Sequence, residues 1–143
     1  MREMIRPPIW LLAFIYFMFL SLVIAIWAAL DNRSALIAFV FATGAIVAIA
    51  INWRSLLLID ERELRVGRAH IELRYIAKVE ALNAAQMRLA RTRDADPAAF
   101  LKLIFWVPTG VKVTLNDNRD GTPYWLISSK DAQKVTNTLC KLL

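Results

Sequence analysis

The chain has 143 residues, of which 58% are hydrophobic and 21% charged, and its mean hydropathy is +0.45. This is more apolar than an ordinary soluble domain, and five Trp, seven Phe and three Tyr exclude a disordered tail. Lys and Arg outnumber Asp and Glu by 18 to 12. Residues 9–53 contain only two charged side chains, Asp31 and Arg33, whereas the other 98 residues carry 28. The composition therefore divides the chain into a lipid-facing part and a water-facing part.

Several kinds of chemistry are excluded by what the sequence lacks. A single cysteine, Cys140, allows no intrachain disulfide and no multi-cysteine zinc site, and a single histidine, His70, allows no two-histidine metal site. The four glycines are isolated, so there is no glycine-rich phosphate loop. No run of five basic residues suggests a nucleic-acid-binding arm. We therefore expect no cofactor, no metal and no nucleic-acid partner.

Two uncharged segments predict a transmembrane hairpin over residues 1–54. Residues 9–30 would form a helix of about 33 Å, enough to cross a bilayer. A second span over residues 35–53 ends at Trp53, whose indole is suited to the headgroup region. Residues 31–34 allow only a tight turn, so the helices are antiparallel neighbours. Because the first apolar segment exceeds the core of a typical signal peptide, cleavage is the less favoured alternative.

The distribution of basic residues predicts the orientation of the hairpin. Arg2 and Arg6 precede the first span, four arginines follow the second within fifteen residues, and the connecting loop has one Arg beside one Asp. The positive-inside rule then places both termini and the C-terminal domain in the cytoplasm, with the hairpin in the cytoplasmic membrane. Neither span contains Asp, Glu, Lys, Arg or His, so we do not expect a stand-alone channel or pump.

Small side chains recur three to four residues apart on the second span. They predict a close helix–helix seam, either within the hairpin or between copies in a homo-oligomer. The alternative is that alanine is simply common in membrane helices. The residues are Ala38, Ala42, Gly44, Ala45 and Ala48.

The C-terminal domain, residues 55–143, begins with short strands. Apolar and alternating runs predict strands at 55–59, 63–66, 69–73 and 76–82. Residues 84–91 favour a helix. Asp96 and Pro97 are typical of a helix start, so residues 98–103 are a short helix or the lead into a strand.

The second half of the domain is more regular. Residues 111–115 and 124–128 predict two strands joined by a polar turn that contains Asp120–Gly121. Val135, Leu139 and Leu142 then recur at helical spacing within 130–143, where Ser129 or Asp131 would be the cap. The predicted class is α+β: a two-helix transmembrane hairpin, then a small PH-like antiparallel β-sheet or barrel domain closed by a C-terminal helix.

Four distinctive tracts follow the two spans, at residues 58–69, 96–100, 106–113 and 122–129. Together with the spans, they resemble the DUF3093 family of actinobacterial membrane proteins. The resemblance covers nearly the whole chain, and its most distinctive part is the last tract. It implies a PH-like domain tethered by two helices, and since no activity is established for the family it implies no chemistry. Residues Ile104 and Phe105 are more apolar than the family pattern, which tends to have a basic residue there.

Two groups of residues are candidates for binding. Arg54, Arg62, Arg65 and Arg68 follow the membrane exit closely and would hold the domain against anionic headgroups, each contributing about 1 kcal/mol. Their alternative role is to set topology on a solvated strand. The aromatic residues Trp106, Tyr124 and Trp125 would line a peptide groove if exposed, or form the core of the sheet if buried.

The remaining reactive side chains favour no catalytic set. His70 is interpreted as a solvent-facing strand residue and Cys140 as a buried small hydrophobe rather than a reactive thiol. We therefore expect a non-enzymatic membrane-anchored module that binds the bilayer and another membrane or envelope protein as a scaffold or accessory subunit. The alternatives are a sensor of anionic lipid headgroups that uses the arginines and, less favoured, a small membrane enzyme.

Overall fold

The computed structural model describes all 143 residues, which form two compact units. The helical unit comprises Arg6–Arg54. The β unit combines Met1–Ile5 with Ser55–Leu143 and contains eight strands and two helices. The predicted α+β layout, with two long apolar helices followed by sheets and a C-terminal helix, is confirmed.

The helical unit is a hairpin of α1, Ile9–Ala29, and α2, Asn32–Asn52. Each helix has 21 residues, which corresponds to about 31 Å. Their most apolar windows have mean hydropathies of 2.7 and 2.5, and almost none of these residues is buried within the protein. By length and composition, both helices can cross a membrane.

Polar side chains close the turn between the helices. The carboxylate of Asp31, the N-cap of α2, accepts a hydrogen bond from the backbone N–H of Ser34 at 2.9 Å. Hydrogen bonds from the side chain and the backbone of Ser34 lower the pKa of Asp31 below its ordinary value of 3.8. The indole N–H of Trp27 donates to the side-chain oxygen of Asn32 at 2.6 Å. Both helix ends in the turn are therefore held by local hydrogen bonds.

The two helices pack along stripes with a repeat of three to four residues, which is typical of nearly antiparallel packing. Large side chains on α1 face mostly small ones on α2, so the predicted seam lies within the hairpin for Ala38, Ala42 and Ala45. Gly44 and Ala48 lie outside it and are exposed. The half-buried positions include Leu12, Phe19, Val23 and Ile26 on α1 and Ala35, Ala38, Ala42 and Ala45 on α2.

The first sheet of the β unit has the antiparallel order β1-β2-β3-β4. Its strands are β1, Arg2–Ile5; β2, Ser55–Ile59; β3, Glu63–Val66; and β4, Ala69–Glu72. Strand β1 was absent from the sequence prediction, which included residues 1–54 in the hairpin. Its four residues are too few to show a periodicity. The pairing aligns Ile5 with Ser55. Strand β1 precedes the helical segment in sequence and β2 follows it, and the two strands are hydrogen-bonded neighbours.

The second sheet is mixed rather than antiparallel throughout. A 3-10 turn, Leu73–Tyr75, leads into β5, Ile76–Leu82, and helix α3, Ala84–Arg91, follows. The other strands are β6, Phe100–Lys102; β7, Gly110–Leu115; and β8, Tyr124–Ser128, in the order β5-β7-β8-β6. Strand β6 pairs in parallel with β8, and all other pairs are antiparallel.

Residues 96–103 resolve the choice between a helix and a strand in favour of the strand. The side chain of Asp96 accepts a hydrogen bond from the backbone N–H of Ala98 at 2.9 Å. The turn is followed by β6 and not by a helix, so Pro97 is not the first residue of a helix as the sequence suggested.

Helix α4, Ala132–Leu142, packs against β5 and β7. Ala132, Val135 and Leu139 are buried in the main core, but Leu142 is 40% exposed. The prediction of a buried Cys140 is wrong, because this residue lies about 100° around the helix from Leu139 and is exposed. The helix begins after Asp131, which makes no side-chain capping bond.

Helix α3 covers the other face of the second sheet. Met87 is 1% exposed and packs with Tyr124 and Leu126. The approach requires a glycine at position 110, because an added Cβ would lie 2.6 Å from the Cε atom of Met87 and would also meet the carbonyl oxygen of Ile127. The sheet is thus enclosed by α4 on one side and α3 on the other.

The N-terminal strand is bonded to the start of α4 through Glu3. Its carboxylate accepts a hydrogen bond from the hydroxyl of Ser129 at 2.6 Å and another from the backbone N–H of Lys130 at 2.9 Å. The backbone N–H of Ile59 donates to the carbonyl of Met1 at 2.8 Å. Residues 1–5 are therefore an integral part of the β unit.

Candidate functional site

The strand register separates three of the four candidate arginines along the first sheet, and the fourth, Arg54, is the last residue of the helical unit. We call the end where Ile5 pairs with Ser55 the tether end, because these residues flank the helical segment. Arg68 lies in the β3–β4 turn at this end, since Val66 is opposite Leu57. Arg62 lies beyond Ile59, at the other end of β2, which is about 13 Å long. Arg62 and Arg68 therefore lie at opposite ends of the first sheet, although both follow the second span within fifteen residues of sequence.

The end opposite the tether end has mixed charge. Arg65 forms an ion pair with Glu63 at 2.5 Å, and Arg74 forms one with Glu72 at 2.9 Å. Glu63 is directly opposite Glu72 in the sheet. The guanidinium of Arg65 is therefore partly neutralised within its own strand.

At the tether end, Arg68 is held at the tip of a two-residue turn. Gly67 has a φ of +64°, and no other residue has a positive φ. A positive φ only at the first of two turn residues is typical of a type II′ hairpin, which requires glycine at that position. Arg68 is exposed and makes no ion pair in the structure. It is the candidate arginine of the β unit best placed to meet an external anion beside the tether end.

Two of the three candidate aromatic residues belong to the core. Tyr124 is 8% exposed and its hydroxyl donates to the carbonyl of Asp94 at 3.3 Å. Trp125 is 6% exposed and its ring lies 4.6 Å from that of Phe100. Because they are neighbours in one strand, they point to opposite faces of the sheet. They therefore do not line a common groove. Their burial agrees with the other interpretation, in which these residues form the core of the sheet.

Trp106 lies apart from the other two, in the connection between β6 and β7. It packs beside a small cluster made of Ile5, Ile104 and Val107, and its ring meets that of Phe105 edge to face at 4.8 Å. Phe105 is 65% exposed. Phe105 was not among the candidates predicted from the sequence. The apolar run 103–107 is nevertheless a signal, because a strand with one buried face needs apolar residues only at alternate positions.

A groove of about 940 Å³ in the β unit runs beside α4. One wall is the end of β5 with Ala81 and Leu82, and the other is the polar side of α4. Three lysines line it and none of them forms an ion pair, whereas Asp131 is the only acidic lining residue. The sequence signal was the recurrence of lysine on the polar side of the helix. These lysines are Lys130, Lys134 and Lys141.

The other reactive side chains are dispersed. His70 is exposed on β4, opposite Arg65 in the register. Cys140 is exposed on α4. No group of three His, Cys, Asp or Glu side chains stands at metal-binding spacing.

The comparison with known families matches the chain over almost its full length. A family model described as a protein of unknown function, DUF3093, matches residues 1–139. The chain belongs to the DUF3093 family. No curated protein and no solved structure matches this DUF3093 protein. The match includes both long helices, the first sheet with β1, and all but the last turn of α4.

Proposed function

We propose that this DUF3093 protein is a non-enzymatic, membrane-anchored module that binds an acidic segment of another membrane or envelope protein. The single observation that carries the proposal is the lysine-lined groove beside α4. The β unit would serve as a PH-like scaffold or accessory domain on the cytoplasmic face. The resemblance to PH-like domains rests on two sheets closed by a C-terminal helix.

Membrane anchoring by α1 and α2 is supported by the exposure of their apolar side chains. Residues such as Phe14, Phe17 and Leu22 are each at least 59% exposed on α1, and Phe41 is 75% exposed on α2. A soluble protein rarely leaves so large an apolar surface uncovered. The acyl chains of a bilayer would cover these apolar side chains. The arginines that flank the hairpin favour a cytoplasmic position of both its ends.

The groove favours an acidic occupant because of its charge and shape. Lys130, Lys134 and Lys141 place three ammonium groups along a wall that contains one carboxylate, that of Asp131. The opposite wall belongs to β5, an edge strand with only one strand neighbour. Edge strands can pair with an added extended segment. An extended segment with several carboxylates therefore fits the groove better than a neutral or basic one.

Binding of a fluorescent glutamate-rich peptide to the full chain in detergent tests this proposal. Exposed ion pairs contribute about 0.2–1 kcal/mol each, so the double variant Lys134→Glu and Lys141→Glu should weaken binding about tenfold. The double variant Lys102→Glu and Arg119→Glu is the matched control, because it makes the same total charge change at two exposed positions that do not line the groove. Added salt should weaken binding to the parent protein. Equal affinity of the groove variant and the control would refute the proposal.

A second candidate function, recognition of anionic lipid headgroups, is favoured by the position of Arg68. Arg68 and Arg54 both lie close to Ser55 in the chain or the register, whereas Arg62 lies at the other end of β2. Native mass spectrometry of the full chain should detect fewer bound phosphatidylglycerol molecules after Arg68→Gln than after Arg62→Gln. Equal loss of bound lipid in both variants would show that only nonspecific charge attraction is involved. No loss in either variant would refute this second function.

A further inference from the structure

The connection between β6 and β7 presents an aromatic pair on a rigid turn. The backbone N–H of Val107 donates to the carbonyl of Ile104 at 3.0 Å, which closes the turn around Phe105 and Trp106. Ile104 and Val107 are 8% and 2% exposed, whereas Phe105 is 65% exposed. We call residues 104–107 the aromatic turn. Its base is buried and its tip projects outward.

The base of the aromatic turn is bonded into the second sheet. The backbone N–H of Ile104 donates to the hydroxyl of Ser128, a buried contact of 2.9 Å. Just beyond the turn, the hydroxyl of Thr109 donates to the carbonyl of Ser129 at 2.7 Å. The exposure of Phe105 is therefore a feature of an ordered turn and not of a loosely attached loop.

The aromatic turn lies at the tether end of the β unit. Ile104 and Val107 pack directly against Ile5, the last residue of β1, which is 1% exposed. Helix α1 begins only four residues later, at Ile9. A fully extended chain covers at most about 3.6 Å per residue, so Ile5 lies within about 14 Å of the first residue of this helix. That limit holds for any path of the connecting residues.

The chemistry of the aromatic turn suits the membrane–water interface. An exposed phenylalanine gains by leaving water for the acyl boundary. The half-buried ring of Trp106 packs edge to face beside it. Basic residues accompany the turn, since Lys102 is exposed at the end of β6 and Arg68 lies at the tether end. Such cations favour an anionic leaflet.

We propose that the aromatic turn inserts into the headgroup region of the same bilayer that α1 and α2 cross, with Phe105 as the inserted side chain and Trp106 at its edge. The proposal rests on the membrane anchoring proposed above. The inserted turn would attach the β unit to the bilayer directly, in addition to its two covalent connections to the helical segment.

Depth-dependent quenching in vesicles tests the insertion. The full chain with Cys140→Ser carries a single new cysteine, labelled with an environment-sensitive fluorophore and reconstituted into phosphatidylcholine–phosphatidylglycerol vesicles that contain a shallow nitroxide lipid. Position 105 is the test, through Phe105→Cys. Asn118→Cys is the control, because it is exposed in the 116–123 loop at the other end of β7. Ser21→Cys, in the middle of α1, reports whether the helix lies in lipid.

Insertion predicts that quenching at position 105 exceeds quenching at position 118 by about threefold or more, while the label at position 21 is protected from water-soluble quenchers. Equal quenching at 105 and 118, with position 21 protected, would overturn the insertion but leave the anchoring intact. An unprotected label at position 21 would overturn the anchoring and the insertion together. Protection of position 105 from both lipid and aqueous quenchers would instead indicate a protein contact and would also overturn the proposal.

Discussion

Replacement of Glu3 by alanine should destabilise the β unit strongly, although the residue lies before the first long helix. The carboxylate accepts two hydrogen bonds, from the Ser129 hydroxyl at 2.6 Å and from the Lys130 backbone N–H at 2.9 Å. Ser129 is fully buried, so its hydroxyl would lose a partner without access to water. Hydrogen bonds to a charged group contribute about 1.5–3 kcal/mol each, and the lower figure for both gives about 3 kcal/mol.

The expected loss can be measured as a change in melting temperature. For a unit of this size, 1 kcal/mol corresponds to about 4–8 °C, so Glu3→Ala should lower the midpoint by roughly 12–24 °C. Near-ultraviolet circular dichroism of the full chain in detergent reports on the packed aromatic residues. Arg2→Ala is the matched control, since Arg2 is exposed on the same strand. A shift for Glu3→Ala that is no larger than the shift for the control would refute the bridging role of the carboxylate.

Three further changes have defined expected results in the same melting assay. Gly110→Ala should cost the β unit about 1–3 kcal/mol by overpacking, because the new methyl group would meet backbone and the side chain of Met87, and an unchanged midpoint would contradict this contact. Gly67→Ala should cost about 1–2 kcal/mol because of its positive φ, whereas Gly121→Ala, which has open space and no positive φ, should be neutral. Asp31→Asn should lower the stability of the hairpin at neutral pH. Since the folded-state pKa is lowered, the contribution of the carboxylate is complete above its ordinary pKa of 3.8 and disappears as the pH falls through the lowered value, so the two proteins should converge in acid.

Local patterns were sufficient to predict most of the β unit. Residues 55–59, 63–66 and 76–82 alternate or form short apolar runs between turn residues, and each is a strand with those bounds. Strand β8 is also predicted with its correct limits. In each case the alternation of buried and exposed positions is a property of neighbours in the chain, which the sequence displays directly.

The elements that were missed or left open depend on contacts between distant residues. Strand β1 is defined by pairing with β2 across 49 intervening residues, and its own four residues carry no pattern. Strand β6 is three residues long and is stabilised by parallel pairing with β8. The burial of Tyr124 and Trp125 likewise follows from α3 and α4 covering both faces of the sheet. Composition alone cannot distinguish such residues from an exposed aromatic patch.

The candidate site shows the same division. The sequence shows that several arginines follow the membrane exit closely. These residues are nevertheless not all close in space, because β2 and β3 form a hairpin. Arg62 lies at its turn, and Arg68 lies at the next turn, back beside Ser55. Only the register reveals that the two arginines are at opposite ends of the sheet. The exposure of Phe105 also required the packing of its neighbours to be known.

The pairing of β1 with β2 has a consequence for membrane topology that does not depend on counting charges. Ile5 and Ser55 are partners in one sheet, so the chain leaves and re-enters the β unit at the same end. If α1 and α2 each cross the bilayer, the two crossings must then begin and end on the same side. An odd number of crossings would separate the two strands by the thickness of the membrane and break every hydrogen bond between them. The distribution of arginines is then needed only to determine on which side of the membrane both ends of the hairpin lie. The proposed cytoplasmic position of the β unit rests on that distribution.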